Sequence, residues 1–103
     1  LKQIVNHAVV DAIFIGPYDL SLSLGTPGDF NNGVFKNALE NIRETAAAAK
    51  LPVGIHCVDN NIASFKSLLH EEYQLIACSL DTKILMTSAT DFRKAATNFE
   101  RHQ

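Results

Sequence analysis

The sequence predicts an α/β fold in which about three strand–helix units lie parallel, as part of an open doubly wound sheet or, as their spacing favours, of an eight-stranded TIM barrel. Three observations carry this reading. Apolar, strand-like runs alternate with helix-like stretches three times, and repeated units of that kind joined by short loops build parallel sheets with right-handed crossovers. The first run is nearly continuous in its apolar residues, as in strands covered on both faces. The units average about 34 residues in a chain of 103, and eight of them would give the roughly 250 to 280 residues of a closed barrel.

The first strand is expected over about Val10 to Ile15, interrupted only by Asp11. It ends in Gly16-Pro17-Tyr18-Asp19, a turn that delivers one carboxylate to the strand's carboxyl end, where ligands of parallel α/β folds sit. A polar loop from Thr26 to Gly33 follows. A helix is expected from about Val34 to Lys50, because Val34, Phe35, Ala38, Leu39, Ile42, Thr45, Ala46 and Ala49 recur at three-to-four spacing. Leu51-Pro52 stops it, since proline disfavours helical geometry in the preceding residue. The second strand is Val53 to Cys57, with His56 near its end. Asp59 or Asn60 is expected to cap a helix whose stripe uses Ile62, Phe65, Leu68 and Leu69. The third strand, Leu75 to Leu80, leads into Asp81, which suits holding a nearby loop by hydrogen bonds or capping the following helix better than binding a metal. A last helix carries Ile84, Leu85, Phe92, Ala95, Ala96 and Phe99 and is expected to break or bend around Ser88 to Asp91. Three strands alone leave two unpaired edges and apolar faces uncovered, so the chain reads as a piece of something larger.

Composition narrows the function classes. With 47% hydrophobic residues and a net charge of -2, the chain reads as an ordinary globular protein. Its nine Lys and Arg are scattered, so nothing selects a nucleic acid, and no apolar run approaches the roughly 18 residues of a membrane span. The start shows no secretory pattern, and the expected compartment is the cytoplasm. Cys57 and Cys78 each sit in an apolar segment, where cysteines behave as small buried hydrophobes, and their separation matches no metal-ligand spacing. A lone His at a strand end, as His56 is, more often makes a structural hydrogen bond or lines a pocket than acts as a base. His7, His70 and His102 read as surface residues.

The segment from Val10 to Ser21, with Leu24-Gly25 beyond it, resembles the hallmark of the HpcH/HpaI aldolase family, metal-dependent class II pyruvate aldolases. Pro52-Val53-Gly54-Ile55 resembles the family's seventh strand and Cys78-Ser79-Leu80-Asp81-Thr82 its eighth. The resemblance implies that residues 1–103 form the C-terminal part of a TIM barrel, strands six to eight with their helices. It implies a divalent metal, magnesium or manganese, with Asp19 as one ligand and a Glu from a strand preceding Leu1 as another. The backbone N–H groups of Gly16 and Tyr18 would bind the carboxylate of a small 2-oxo acid substrate, and Ser21 would support the turn. The groups that move the proton lie further upstream, so no catalytic residue falls in the chain. The implied reaction is reversible carbon–carbon cleavage of a 2-oxo-hydroxy acid to pyruvate and an aldehyde, by an enzyme that forms a homo-oligomer, with the 103 residues alone inactive. Alternatives are a hydroxyacyl-CoA lyase-like member, or a non-catalytic remnant serving assembly. Three departures stand out. Tyr18 replaces the Ala of many bacterial members and would narrow the pocket or cover the metal. His56 stands where relatives are often apolar or aromatic. Residues 70–74 lack the Gly usual before the last strand.

Overall fold

The computed structural model describes residues 1–101. A short helix α1 (Lys2–Val5) precedes strand β1 (Ile13–Ile15), helix α2 (Pro17–Ser23) and the long helix α3 (Gly33–Ala48). Strand β2 (Val53–Cys57), helix α4 (Ile62–His70), strand β3 (Leu75–Cys78) and helix α5 (Asp81–Arg101) complete the order. The strands form one parallel sheet in the order β1-β2-β3.

The middle strand fixes the register. Ile13, Phe14 and Ile15 pair with Val53, Gly54 and Ile55, and Gly54 to Cys57 pair with Leu75 to Cys78. Side chains alternate along each strand, so Ile15, Val53, Ile55 and Cys57 fall on one face with Ile76. That face is the core, where Ile15, Val53, Ile55, Ala46 and Tyr73 cluster and Leu39, Ile42, Leu68 and Ile76 close around them. Ala46 is wholly buried, which brings the α3 backbone close to the sheet. The Arg43 guanidinium stacks 5.6 Å from the Tyr73 ring centroid, and its Nη1 donates to the Glu71 carbonyl at 3.2 Å.

The opposite face is uncovered among the described residues. It presents Phe14, 49% exposed, and Leu75, 57% exposed, on either side of Gly54. A Cβ at Gly54 would lie 2.8 Å from Phe14 Cδ2 and 2.9 Å from both the Cβ and the carbonyl oxygen of Leu75. Hydrogen is therefore the only substituent that fits between these neighbours. This is the kind of uncovered apolar face expected of three strands alone.

Several boundaries also differ. The first strand begins at Ile13, because among the described residues β2 is its one neighbour and pairing starts where Ile13 N–H donates to the Pro52 carbonyl at 2.9 Å. The Gly-Pro turn runs directly into α2, with Pro17 at the first helical position, where its missing N–H costs nothing. Helix α3 stops before the proline acts: Lys50 turns left-handed at φ 58, and Lys50 and Leu51 N–H donate to the Ala47 and Ala46 carbonyls in a Schellman closure. Helix α4 is capped by Asn61 Oδ1, which accepts from Ser64 N–H at 2.8 Å, rather than by Asp59 or Asn60. The absent glycine of residues 70–74 is answered by Glu72, which takes the left-handed conformation itself at φ 66. β3 ends at Cys78 because Ser79 turns left-handed at φ 57. α5 is continuous through Ser88 to Asp91, a stretch with neither Gly nor Pro to break it. It stands largely exposed along its length, Phe92 at 78%, within a body measuring 64 × 27 × 22 Å. No described helix is long and apolar enough to cross a membrane.

Gly54→Ala should lower the urea unfolding midpoint, with a loss of about 1–3 kcal/mol from forcing Phe14 and Leu75 apart. An unchanged midpoint would show that the two side chains yield without cost.

Candidate functional site

β1 and α2 meet at Gly16, whose φ of -92 and ψ of 101 keep it extended while Pro17 starts the helix. Asp19 sits in the first turn of α2 and is solvent-exposed. Its carboxylate folds back over the strand end: a Cβ at Gly16 would lie 3.1 Å from Asp19 Oδ2. The absent side chain at position 16 thus leaves the space this carboxylate occupies. Among the described residues, the N–H groups of Gly16 and Tyr18 have no protein acceptor. Three groups of the sequence expectation, the Asp19 carboxylate and these two N–H donors, are therefore together at the carboxyl end of β1.

Ser21 explains why the turn holds. Fully buried, its Oγ donates to the Tyr18 carbonyl at 2.8 Å and accepts from Gly28 N–H at 2.9 Å. One hydroxyl thus ties α2 to the following loop, where Gly28 takes φ 74. The Tyr18 ring also faces that loop, edge-on to Phe30 at 4.8 Å between centroids, and Phe30 in turn packs on Phe35. Of the two expected effects of Tyr18, narrowing the pocket or covering the metal, the geometry bears on the first: the ring packs on Phe30 and lines the cleft described below.

The tip of the neighbouring strand carries a second polar arrangement. His56 Nε2 lies 2.7 Å from the Ser79 carbonyl, and Ser79 N–H donates to the Cys57 carbonyl at 2.7 Å. A carbonyl can only accept, so Nε2 bears a proton and donates it to the Ser79 oxygen. His56 is thereby a latch between the ends of β2 and β3, in line with the structural reading of its sequence position. Ser79 was not legible as a functional position, since it lies in what reads as continuous strand and only its left-handed turn aims its carbonyl at His56. Asp81 Oδ1 accepts from Thr82 N–H at 2.7 Å, a helix-start role as expected. His7 and His70 are exposed, and His102 lies outside the described residues.

A separate cleft lies beside this turn. A cavity of about 630 Å³ opens between α3 and α4, lined by Tyr18, Phe35, Lys36, Arg43, His56 and Cys57 among others. Gly16 and Asp19 do not line it. Cys57 is buried, as the sequence suggested, whereas Cys78 is exposed. Burial pushes the Cys57 thiol up, helped by the neighbouring Cys78 and Asp59, with the Asp59 backbone hydrogen bond and Lys83 opposing more weakly. No group of three or more His, Cys, Asp or Glu side chains converges as a metal cage among the described residues.

No protein-family model matches the chain. It is 32% identical over 91 residues to a hydroxypyruvate/pyruvate aldolase of Rhizorhabdus wittichii, covering 86% of this chain and 36% of the relative. It is 36% identical over 96 residues to a 2-keto-3-deoxy-L-rhamnonate aldolase of Klebsiella pneumoniae, covering 92% of this chain and 34% of that protein. The chain thus spans about a third of the length of the curated relatives it matches. The crystal structure of an HpcH/HpaI aldolase/citrate lyase family protein from Burkholderia cenocepacia superposes with a TM-score of 0.85 at 27% identity, over 93% of this chain and 37% of that one.

Two outcomes follow from this geometry. Ser21→Ala removes both hydrogen bonds of this hydroxyl, so it should cost about 1–3 kcal/mol at about 0.5–1.5 kcal/mol per bond and lower hydrogen-exchange protection at the Gly28 amide; retained protection would assign the loop's order to the aromatic stack. For Cys57, the unfolded thiol ionises first as pH rises, so folded stability should fall between the ordinary thiol range and the raised folded value. Iodoacetamide should accordingly label Cys78 before Cys57, and equal labelling rates would contradict the burial.

Proposed function

The chain corresponds in sequence and fold to the C-terminal third of the HpcH/HpaI aldolase/citrate lyase family's TIM barrel, and from that premise we propose that its Gly16–Asp19 turn forms one wall of a divalent-metal aldolase site. The observation that carries the reading is the Asp19 carboxylate, folded over Gly16 at the carboxyl end of a parallel strand beside two N–H donors that have no protein acceptor among the described residues. Strand ends of this kind are where barrel enzymes place their chemistry.

Hard dications take carboxylate oxygens and retain water, so the exposed Asp19 fits one ligand position. With no further ligand converging on it among the described residues, the rest of the shell falls to substrate oxygens, water and a carboxylate outside these 103 residues. When bound, magnesium or manganese polarises a keto oxygen as a Lewis acid. The residues of this chain hold and orient. The Gly16 and Tyr18 N–H groups receive the carboxylate of a 2-oxo acid. Pro17, with no N–H and a fixed φ, keeps those two donors apart in direction. Ser21 pins the turn, and His56, whose proton is committed to the Ser79 carbonyl, stiffens the neighbouring strand end rather than serving as the base. The reaction is the reversible cleavage of a 2-oxo-hydroxy acid to pyruvate and an aldehyde, carried out in the cytoplasm by a homo-oligomer. The 103 residues alone are inactive, because a single carboxylate binds magnesium weakly and an uncovered sheet face cannot exclude water.

A second reading, a non-catalytic assembly module, is favoured by one observation. Phe14 and Leu75 on the open sheet face and Leu85, Phe92 and Phe99 on α5 remain exposed together.

Extending the chain with its upstream coding sequence should give magnesium- or manganese-dependent pyruvate release from hydroxylated 2-oxo acids, while the 103 residues alone release none. In the extended protein Asp19→Asn should lower kcat/KM at least about 100-fold and weaken Mn²⁺ binding read by paramagnetic resonance. Unchanged Mn²⁺ affinity would remove Asp19 from the metal shell, and no pyruvate from the extended protein would favour the assembly reading. Pyruvate from the short chain would overturn its proposed inactivity.

A further inference from the structure

Cys57 and Cys78 are the last residues of β2 and β3 and register partners in the parallel ladder. Alternation places them on the same face: Cys57 follows Ile55 by two positions, Cys78 follows Ile76 by two, and both isoleucines face the core. Neighbouring parallel strands lie about 4.8 Å apart, inside the range of about 4.4–6.8 Å between Cα atoms that a disulfide spans. The backbone at this point is held from both sides, by Ser79 N–H on the Cys57 carbonyl and by His56 on the Ser79 carbonyl. The two thiols differ in access. Cys78 is exposed, while Cys57 is buried beside the cleft between α3 and α4. Each now makes only a weak sulfur contact along its own chain, Cys57 Sγ to the Asp59 carbonyl at 3.6 Å and Cys78 Sγ to the Ile76 carbonyl at 3.8 Å.

We propose that Cys57 and Cys78 are a reversible redox pair, which a small-molecule disulfide of the oxidised-glutathione class converts to a cross-strand disulfide joining the carboxyl ends of β2 and β3. The Cys78 thiolate attacks the small disulfide, forming a mixed disulfide and releasing one small thiolate. The Cys57 thiol loses its proton to solvent and attacks the Cys78 sulfur, expelling the second. Two protein thiols are oxidised, one small disulfide is reduced to two thiols, and no other reactant is required. Side-chain rotation about the cysteine χ1 angles brings the sulfurs together, because the strands are already in register. In a reducing compartment such a bond is transient, which suits a sensor rather than a structural staple. Its position beside the His56–Ser79 latch makes the tip of β2 the part of the sheet that oxidation stiffens. This pair stands independently of the aldolase reading.

Incubation of the 103-residue chain with oxidised glutathione at mildly alkaline pH, followed by intact-mass and peptide analysis, tests the proposal. Expected are the loss of both free thiols, a mass lower by two hydrogens, a linked pair of peptides carrying Cys57 and Cys78, and full reversal by dithiothreitol. Cys57→Ser should trap one glutathione on Cys78, whereas Cys78→Ser should take up glutathione at least about tenfold more slowly, since the remaining thiol is buried. Bridging should slow in urea, because the strands then no longer hold the register. A stable glutathione adduct on Cys78 of the unaltered chain, a dimer linked between chains, or bridging as fast in urea as in buffer would each overturn the pair.

Discussion

The pairing of β2 with a parallel neighbour on each side is the constraint on which the rest depends. Because Ile55 aligns with Ile15 on one flank and Ile76 on the other, the carboxyl ends of the strands finish at nearly one level. The Gly16 turn, the His56 latch and the Ser79 corner are thereby brought to the same edge of the sheet. Gly54 permits this closeness, since its missing side chain is the space into which Phe14 and Leu75 converge. α3 supports the ladder from behind through Ala46, where the smallest apolar side chain lets the helix approach and Ile15, Val53 and Ile55 lose their contact with water.

The sheet is asymmetric in a way that bears on function. Its helix-facing side has a packed core, whereas the other side exposes Phe14 and Leu75, and α5 exposes Phe92 and Phe99. Exposed apolar surface of this extent carries a free-energy cost of about 25 cal/mol per Å² relative to burial, so it marks surface suited to contact with further protein. Superposition on about a third of a larger aldolase barrel agrees with that physical reading. Locally, the Ser21 hydroxyl and the Asn32 and Asn61 caps each satisfy backbone groups that a turn or helix end would otherwise leave bare.

What could be read in advance follows from the range of the forces involved. The Gly16-Pro17-Tyr18-Asp19 turn was legible because a glycine, a proline and a carboxylate in sequence restrict the backbone locally and deliver one charge, and Asp19 does fold over Gly16. The span of β2 was legible from its short apolar run after Pro52, while the supporting role of Ser21 was implied only by the family resemblance. The direction of the Tyr18 ring was not, because Phe30, twelve residues away in sequence, competes for it. Nor was the contrast between Cys57 and Cys78, two cysteines in similar apolar runs that fare differently because Cys57 lies on the central strand and Cys78 on an edge strand.

By itself the sequence determined the order of strands and helices, the parallel α/β class, the Gly-Pro corner and the identity of the carboxylate beyond it, since all of these rest on periodicity and on backbone restrictions spanning a few residues. The tertiary structure alone decided that the first strand starts only at Ile13, that Glu72 and Ser79 turn left-handed without glycine, that His56 bonds the Ser79 carbonyl and that the two cysteines meet in register. These outcomes depend on which segments lie beside one another across the sheet, and that adjacency is set by burial summed over the whole chain rather than by any local run of residues.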